Sequence, residues 1–307
     1  MESEQVHTAN EIALLNNLTD NYDSLRYCLL KAQTFDIKSY GFPTIYYKIM
    51  ETDKQRVQSF VDAFEKYNWL KDSVVCEIGC GRFALTDHYL NHCKKAYLIE
   101  SNPAVYDFIE EKLRKNNWQD KVVVIRGDVM KINELPEKVD FVIGELMSVF
   151  CANQHQVPIF KHARKWLNEN GKLLPEKIKN FIQVGYTYFD SEHKFYPLMF
   201  TRHWPALLTT KVLVNVIDLY TVDEMTVNVI VKVKAVLSGK VNCVLLNSYV
   251  QVAEGCNFTG TDSLMQHTVV KLDNKTPFIM KEDQEYQLKI KFTYATTIDE
   301  ASFEIIE

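Results

Sequence analysis

Between residues 74 and 145 the chain repeats one pattern four times, and that pattern leaves few folds open. Short apolar runs occur at Val74–Ile78, Ala96–Ile99, Val122–Ile125 and Phe141–Ile143. Helical signals lie between and after them. Leu85–His92 is expected to be a helix, and Asn102 before Pro103 is an N-cap with proline at the first helical position. A further helix is expected over Pro158–Asn168. Strands alternating with helices over short connections mean a parallel sheet wrapped by helices. Such a sheet binds its ligand beyond the carboxyl ends of its strands. Those ends carry Gly79-Cys80-Gly81, Glu100, Asp128 and Glu145.

The glycine turn permits close approach, because a Cβ at Gly79 or Gly81 would keep a ligand away from the backbone. Glu100 lies 21 positions after Gly79, about the separation at which an acid reaches ribose hydroxyls. Asp128, or the N–H groups beside it, can read an adenine edge. Two strand-end acids flanking a glycine turn indicate an adenosine-containing cofactor.

The rest of the chain divides around this unit. Residues 1–44 form an N-terminal helical segment closed by the break Gly41-Phe42-Pro43. Residues 45–178 hold the α/β unit, opening on a helix over 44–67 whose apolar face includes Phe60 and Phe64. On that helix Met50, Asp53 and Arg56 share one side. By themselves these three read as a solvated charged edge beside a core methionine. From about 179 to 307 the texture changes to Val-, Thr- and Tyr-rich runs, expected as an antiparallel β-barrel or sandwich. The runs are Asn180–Tyr188, Lys211–Leu219, Thr226–Lys234, Val241–Val250, Thr268–Leu272 and Gln287–Tyr294. Residues 190–210 look like an aromatic-rich insertion.

Charge and cysteine content narrow the function classes. A net charge of -5 argues against a nucleic-acid partner held through its phosphates and suits a cationic substrate. The seven cysteines show no metal-ligand spacing, so no metal is expected, and reduced thiols fit a cytoplasmic protein. No apolar run reaches membrane-spanning length, so no membrane partner is expected.

Glu77-Ile78-Gly79-Cys80-Gly81 resembles the acidic Gly-x-Gly turn of class I S-adenosylmethionine-dependent methyltransferases. The likeness extends to the protein arginine methyltransferase family. Glu145-Leu146-Met147-Ser148 is similar to that family's substrate loop, and Met50-x-x-Asp53-x-x-Arg56 to its cofactor-lid helix. Asn170-Gly171-Lys172-Leu173-Leu174-Pro175 resembles its passage into the barrel, and Ile217–Val222 the strand after its dimerisation arm. The resemblance implies a Rossmann-like domain, then a β-barrel carrying a short inserted arm at about 190–210, and a homodimer. It implies that S-adenosyl-L-methionine is bordered by Met50, Arg56, Glu77, Gly79, Gly81, Glu100, Ser101, Asp128, Val129 and Glu145. Arg56 would pair with the cofactor carboxylate. Glu145 and Gln154 would be catalytic, and Glu145, Met147, Gln154 and His155 would meet the substrate.

The chain departs from the family at four places. Gln154 stands where a second Glu is expected, nine positions after Glu145. Ser148 and Phe83 replace glycines. The Thr-His-Trp loop of the barrel falls at Ser263-Leu264-Met265. A guanidinium spreads one charge over five donors, and a carboxylate pair grips it in bidentate fashion; here Glu145 is the one carboxylate of that pair. The altered peptide-facing positions point to methyl transfer onto free L-arginine or a small guanidino compound. The alternatives are a peptidyl arginine, or a catalytically silent binding partner that keeps the fold.

Overall fold

In β1 (Val74–Ile78) all five residues are buried, as a strand covered on both faces requires. The computed structural model describes residues 47, 51–189, 194–198, 204–259, 265, 267–274 and 277–306. Around β1 it places β2 (Lys95–Glu100), β3 (Val122–Arg126), β4 (Val139–Ile143) and β5 (Leu167–Leu174) in the order β3-β2-β1-β4-β5. Every pairing in this sheet is parallel. Consecutive strands run outward from β1 on one side and return to its other side at β4. The β1–β4 border is therefore the switch point where a crevice opens.

Among the described residues four α-helices flank or follow the strands: α1 (Lys54–Lys66), α2 (Thr86–Tyr89), α3 (Tyr106–Lys115) and α4 (Gln156–Ala163). Asp53 caps α1 by accepting from the Arg56 backbone N–H at 3.2 Å. Asn102 caps the turn at Pro103–Val105 that leads into α3, as its sequence signal predicts. The helix expected over Leu85–His92 is confined to α2. The one expected over Pro158–Asn168 starts two residues earlier and yields to a 3-10 turn at Arg164–Trp166. Leu167 already pairs with Val139, so sheet hydrogen bonding ends the helix where periodicity alone would continue it.

The second half is antiparallel. Its largest sheet is β7 (Phe195–Pro197), β14 (Thr268–Lys271), β12 (Cys243–Ala253), β6 (Lys177–Tyr186) and β8 (Ala206–Leu207), in that order. Strands β9 (Val212–Asp218) and β13 (Cys256–Thr259) pair with β6 and β12. A three-stranded sheet joins β10 (Thr226–Lys234), β16 (Glu285–Thr293) and β17 (Ser302–Ile306), and β11 (Gly239–Val241) pairs with β15 (Phe278–Met280). Strands β5, β7, β8, β11, β13, β15 and β17 were not signalled by the sequence; most are short pieces that only pairing defines.

The two halves share one apolar core. Phe60 of α1 meets Phe258 of β13 at 6.2 Å between ring centroids, and Phe150 meets Phe292 of β16 at 5.1 Å. Ser59 adds a hydrogen bond to the Asn257 carbonyl at 2.7 Å. The boundary near residue 178 is thus a change of architecture without a break in packing. In the expected arm, β7 and β8 are paired into the barrel sheet and Tyr196 is buried. The remainder of the arm, the segment 1–44 and most of the Ser263-Leu264-Met265 loop lie outside the described residues.

Candidate active site

The β1–β4 switch point opens a cavity of about 610 Å3. The glycine turn supplies one wall. Gly79 and Gly81 have φ of +74° and +49°, a region costly for residues with a Cβ. A Cβ on Gly81 would lie 2.6 Å from the Tyr47 ring, and one on Gly79 would lie 2.8 Å from Leu146. These glycines are therefore required by the turn and by the side chains that close over it.

Glu100, at the end of β2, lines the next wall and is buried. Its Oε2 accepts from the Gly81 N–H at 2.9 Å and its Oε1 from the Asn102 N–H at 2.8 Å. These bonds fix the carboxylate and oppose the burial that raises its pKa. Ser101 continues this wall, and Asp128 and Val129 line it from the end of β3. Asp128 accepts from the Met130 N–H at 2.9 Å.

Glu77, at the foot of the glycine turn, is held by two hydroxyls. It touches the cavity, but its Oε2 accepts the Thr86 hydroxyl at 2.7 Å and the Tyr89 hydroxyl at 2.6 Å. Burial pushes its carboxyl up to about 7, against the pull of those two bonds. Glu77 is a strut that ties the turn to α2.

Glu145 follows β4 and faces the cavity together with Arg56 of α1. Arg56 Nη1 donates to Glu145 Oε2 at 2.7 Å, and Asp53 lies 3.8 Å from Arg56 Nε. The side chains of Arg56 and Asp53 are almost fully buried. The charged side of the lid helix is therefore no solvated edge: Asp53 and Arg56 are buried, and Arg56 lines the cavity wall. Burial raises the Glu145 pKa, while Arg56 and the Met147 N–H lower it. Met147, Gln154 and His155 line the same cavity. All the sequence-selected site residues therefore meet in one place, except Met50, which lies outside the described residues.

The loop from Glu145 to Gln154 is held in an uncommon shape. Phe150, Cys151 and Asn153 have φ of +61°, +51° and +53°, a region that costs L-residues roughly 1 kcal/mol or more each. The barrel holds it there. Ser248 accepts from the Phe150 N–H at 2.8 Å, Thr296 accepts from the Asn153 N–H at 2.6 Å, and the Ala295 N–H donates to the Cys151 carbonyl at 2.9 Å.

Sequence reading missed several contributors. Gln156 is fully buried; its Oε1 accepts from the Leu146 N–H at 2.7 Å and its Nε2 donates to the Gly144 carbonyl at 3.2 Å. It brackets Glu145 from both sides. Tyr47 covers Gly81 and accepts from Asn102 Nδ2 at 2.9 Å. Arg82 and Glu51 also line the cavity. A polar residue at the start of α4 was the available signal for Gln156; the others carry no motif.

Phe83 is absent from the cavity lining. Its φ is +70°, the conformation a glycine would take, and its ring is buried against Phe108 at 6.2 Å. The replaced glycine is accommodated by a left-handed backbone and a ring that packs behind the turn. Among the described residues no cluster of His, Cys, Asp or Glu could hold a metal ion.

Comparison with known proteins agrees with this geometry. A family model described as PRMT5 arginine-N-methyltransferase matches residues 4–173, more than half of the chain. A histone-arginine methyltransferase CARMER of Drosophila persimilis is 39% identical over 107 residues, covering 34% of this chain and 20% of that protein. The chain thus spans about a fifth of the length of the curated relatives it matches. Among solved structures, the Trypanosoma brucei PRMT1 enzyme-prozyme heterotetrameric complex with AdoHcy is similar with TM-score 0.69 at 17% identity. That match covers 85% of this chain and 98% of the other. Arabidopsis thaliana protein arginine methyltransferase 10 gives 0.67 at 15% identity, covering 85% and 97%. Both have the same fold.

Proposed function

The chain belongs to the PRMT5 arginine-N-methyltransferase family, and on that premise we propose that it transfers a methyl group from S-adenosylmethionine to an arginine guanidino nitrogen of a protein substrate. The observation that carries this reading is the convergence of Glu100 and Glu145 on one cavity at the β1–β4 switch point. The residues present fit the cofactor. Glu100 is held by two backbone N–H groups beside a glycine turn, and the cavity size lies within the range of small-molecule sites. S-adenosylmethionine supplies the electrophilic methyl group when bound.

Glu100 holds the ribose end and Gly79 and Gly81 let the backbone approach. Glu145 accepts guanidinium N–H groups and neutralises the substrate's charge in a buried place, where the interaction is strong. The Gln154 amide adds a neutral hydrogen bond. Because the transfer is an in-line displacement, holding the nucleophile in place supplies much of the rate. Gln156 and the barrel contacts keep Glu145 and Gln154 where this requires.

The expectation of free arginine gives way to peptidyl arginine. Its support is the relatives, which are named for histone arginine, and the family description. The same reading includes assembly into dimers and a cytoplasmic location. The test is incubation with isotope-labelled cofactor, an arginine-rich peptide and, separately, free arginine, with product masses measured. Methylarginine in the peptide is expected. Transfer to free arginine alone, or to no arginine at all, overturns the proposal.

A further inference from the structure

Three polar side chains stand in one line across the barrel wall. Ser248 of β12 lies directly opposite Asn180 of β6, and Asn180 directly opposite Asn215 of β9. Asn180 and Ser248 are buried, and so are the apolar residues beside them on the same strands, Ile178, Ile182, Leu246 and Val250. Apolar residues at 180 and 248 would suit this interior equally well. Burying an amide and a hydroxyl there is costly unless each finds its partners.

The partners are present, and the bonds all run in one sense. The Phe150 N–H donates to Ser248 Oγ at 2.8 Å, and the Ser248 hydroxyl donates to Asn180 Oδ1 at 2.7 Å. Asn180 Nδ2 donates to Asn215 Oδ1 at 3.0 Å, and Asn215 Nδ2 donates to the Tyr294 hydroxyl at 2.6 Å. The direction matters at Ser248, because a hydroxyl rotates to suit its neighbours. Asn180 Oδ1 takes its hydrogen and so leaves a lone pair facing Phe150. Asn215 holds the Asn180 amide in the orientation this needs, and Tyr294 does the same for Asn215.

The row ends on the loop that carries the candidate chemistry. Phe150 lies between Glu145 and Gln154 and has φ of +61°, a conformation that persists only where the surroundings over-determine it. None of Ser248, Asn180, Asn215 and Tyr294 lines the cavity. We propose that these four residues form a positioning network that fixes the loop 145–154 through the Phe150 N–H. Methyl transfer then depends on side chains that touch neither cofactor nor substrate. This rests on the methyltransferase reading above.

The test is a kinetic double-mutant cycle on the full chain, with S-adenosylmethionine and an arginine-rich peptide. Ser248→Ala removes the acceptor at the loop; Tyr294→Phe removes one oxygen at the far end of the network. Ser248→Ala is expected to lower kcat by about 10- to 100-fold and Tyr294→Phe by about threefold, since small misplacements slow an oriented reaction steeply. Affinity for S-adenosylhomocysteine, measured by calorimetry, stays within about twofold, as for an independent site. In the double variant the Tyr294→Phe effect disappears, because the network is already cut. Val244→Ala controls for lost stability. It truncates a buried residue of the same strand, paired with Val184 and Val270, and should lower the melting midpoint while keeping kcat.

The proposal is overturned if Ser248→Ala keeps the unaltered kcat, if the two effects multiply, or if Val244→Ala slows transfer as much. Where Ser248→Ala does not fold, Tyr294→Phe decides: unchanged kcat overturns the proposal, and a fall in kcat with unchanged S-adenosylhomocysteine affinity supports it. A protein that transfers no methyl group to the peptide before any substitution overturns the methyltransferase reading and this proposal with it. Transfer that the variants leave unchanged overturns the proposal alone.

Discussion

Arg56 and Glu145 are 89 positions apart in sequence and 2.7 Å apart in space, joined by an ion pair at the cavity wall. The pair ties the lid helix α1 to the end of β4. It places the acid expected to receive the substrate under the control of a residue expected to serve the cofactor.

Glu145→Gln tests the acid directly. Substituting the carboxylate removes the charge that balances the guanidinium and leaves a hydrogen-bond acceptor. A fall in kcat of about 100-fold or more is expected, on the scale of losing one preorganised electrostatic contact. Steady-state kinetics check it, with calorimetry showing cofactor affinity close to that of the unaltered protein. Wild-type kcat would remove Glu145 from the role assigned to it.

Gln154→Glu tests the departure at the second acidic position. A second carboxylate beside Glu145 offers the guanidinium a charged partner in place of a neutral one. Because charged hydrogen bonds are about twice as strong as neutral ones, kcat/KM for an arginine peptide should rise about tenfold. The rise should be absent for a substrate in which citrulline replaces the arginine.

Phe83 gives a prediction about backbone strain. Phe83→Ala is expected to cost about 3–5 kcal/mol, because a buried ring is lost. Phe83→Gly loses the same ring yet should be more stable than the alanine variant by about 1 kcal/mol, since φ at +70° suits glycine alone. Urea denaturation of the two variants measures the difference. At an ordinary helical or extended position the order would be reversed.

Glu77 gives a pH dependence with a definite sign. Its carboxyl is raised from the ordinary 4.5 to about 7 in the folded chain. The folded state therefore holds this proton where the unfolded chain has released it, so the group's contribution is fully present below about 4.5 and is lost as pH rises through about 7. Integrated over that window, the loss is about 3 kcal/mol. Denaturant midpoints measured across this range should fall relative to those of Glu77→Gln, which has no such proton to lose.

Much of the site was legible because strand ends are local. A parallel-sheet strand is a short apolar run, and the residue after it faces the crevice whatever the rest of the fold does. Gly79, Glu100, Asp128 and Glu145 could be placed by counting. The N-cap at Asn102 followed from the chemistry of its side chain and of Pro103. The edges of the elements were harder. Leu167 left the helix for β5 because Val139 was there to pair with it. The three-residue strands β7, β11 and β15 have no pattern long enough to register.

The sequence by itself determined the parallel sheet, the glycine turn and the set of acids at its carboxyl edge, because each depends on residues close together in the chain. Only the tertiary structure decided what those groups hold. Arg56 could be placed on the lid helix from its motif, and its contact with Glu145 follows from the docking of α1 on β13. Glu77 faces the hydroxyls of Thr86 and Tyr89, and Phe83 turns its ring behind the pocket onto Phe108. Charge, strain and burial at these positions are set by neighbours from distant elements, and a local pattern carries no record of them.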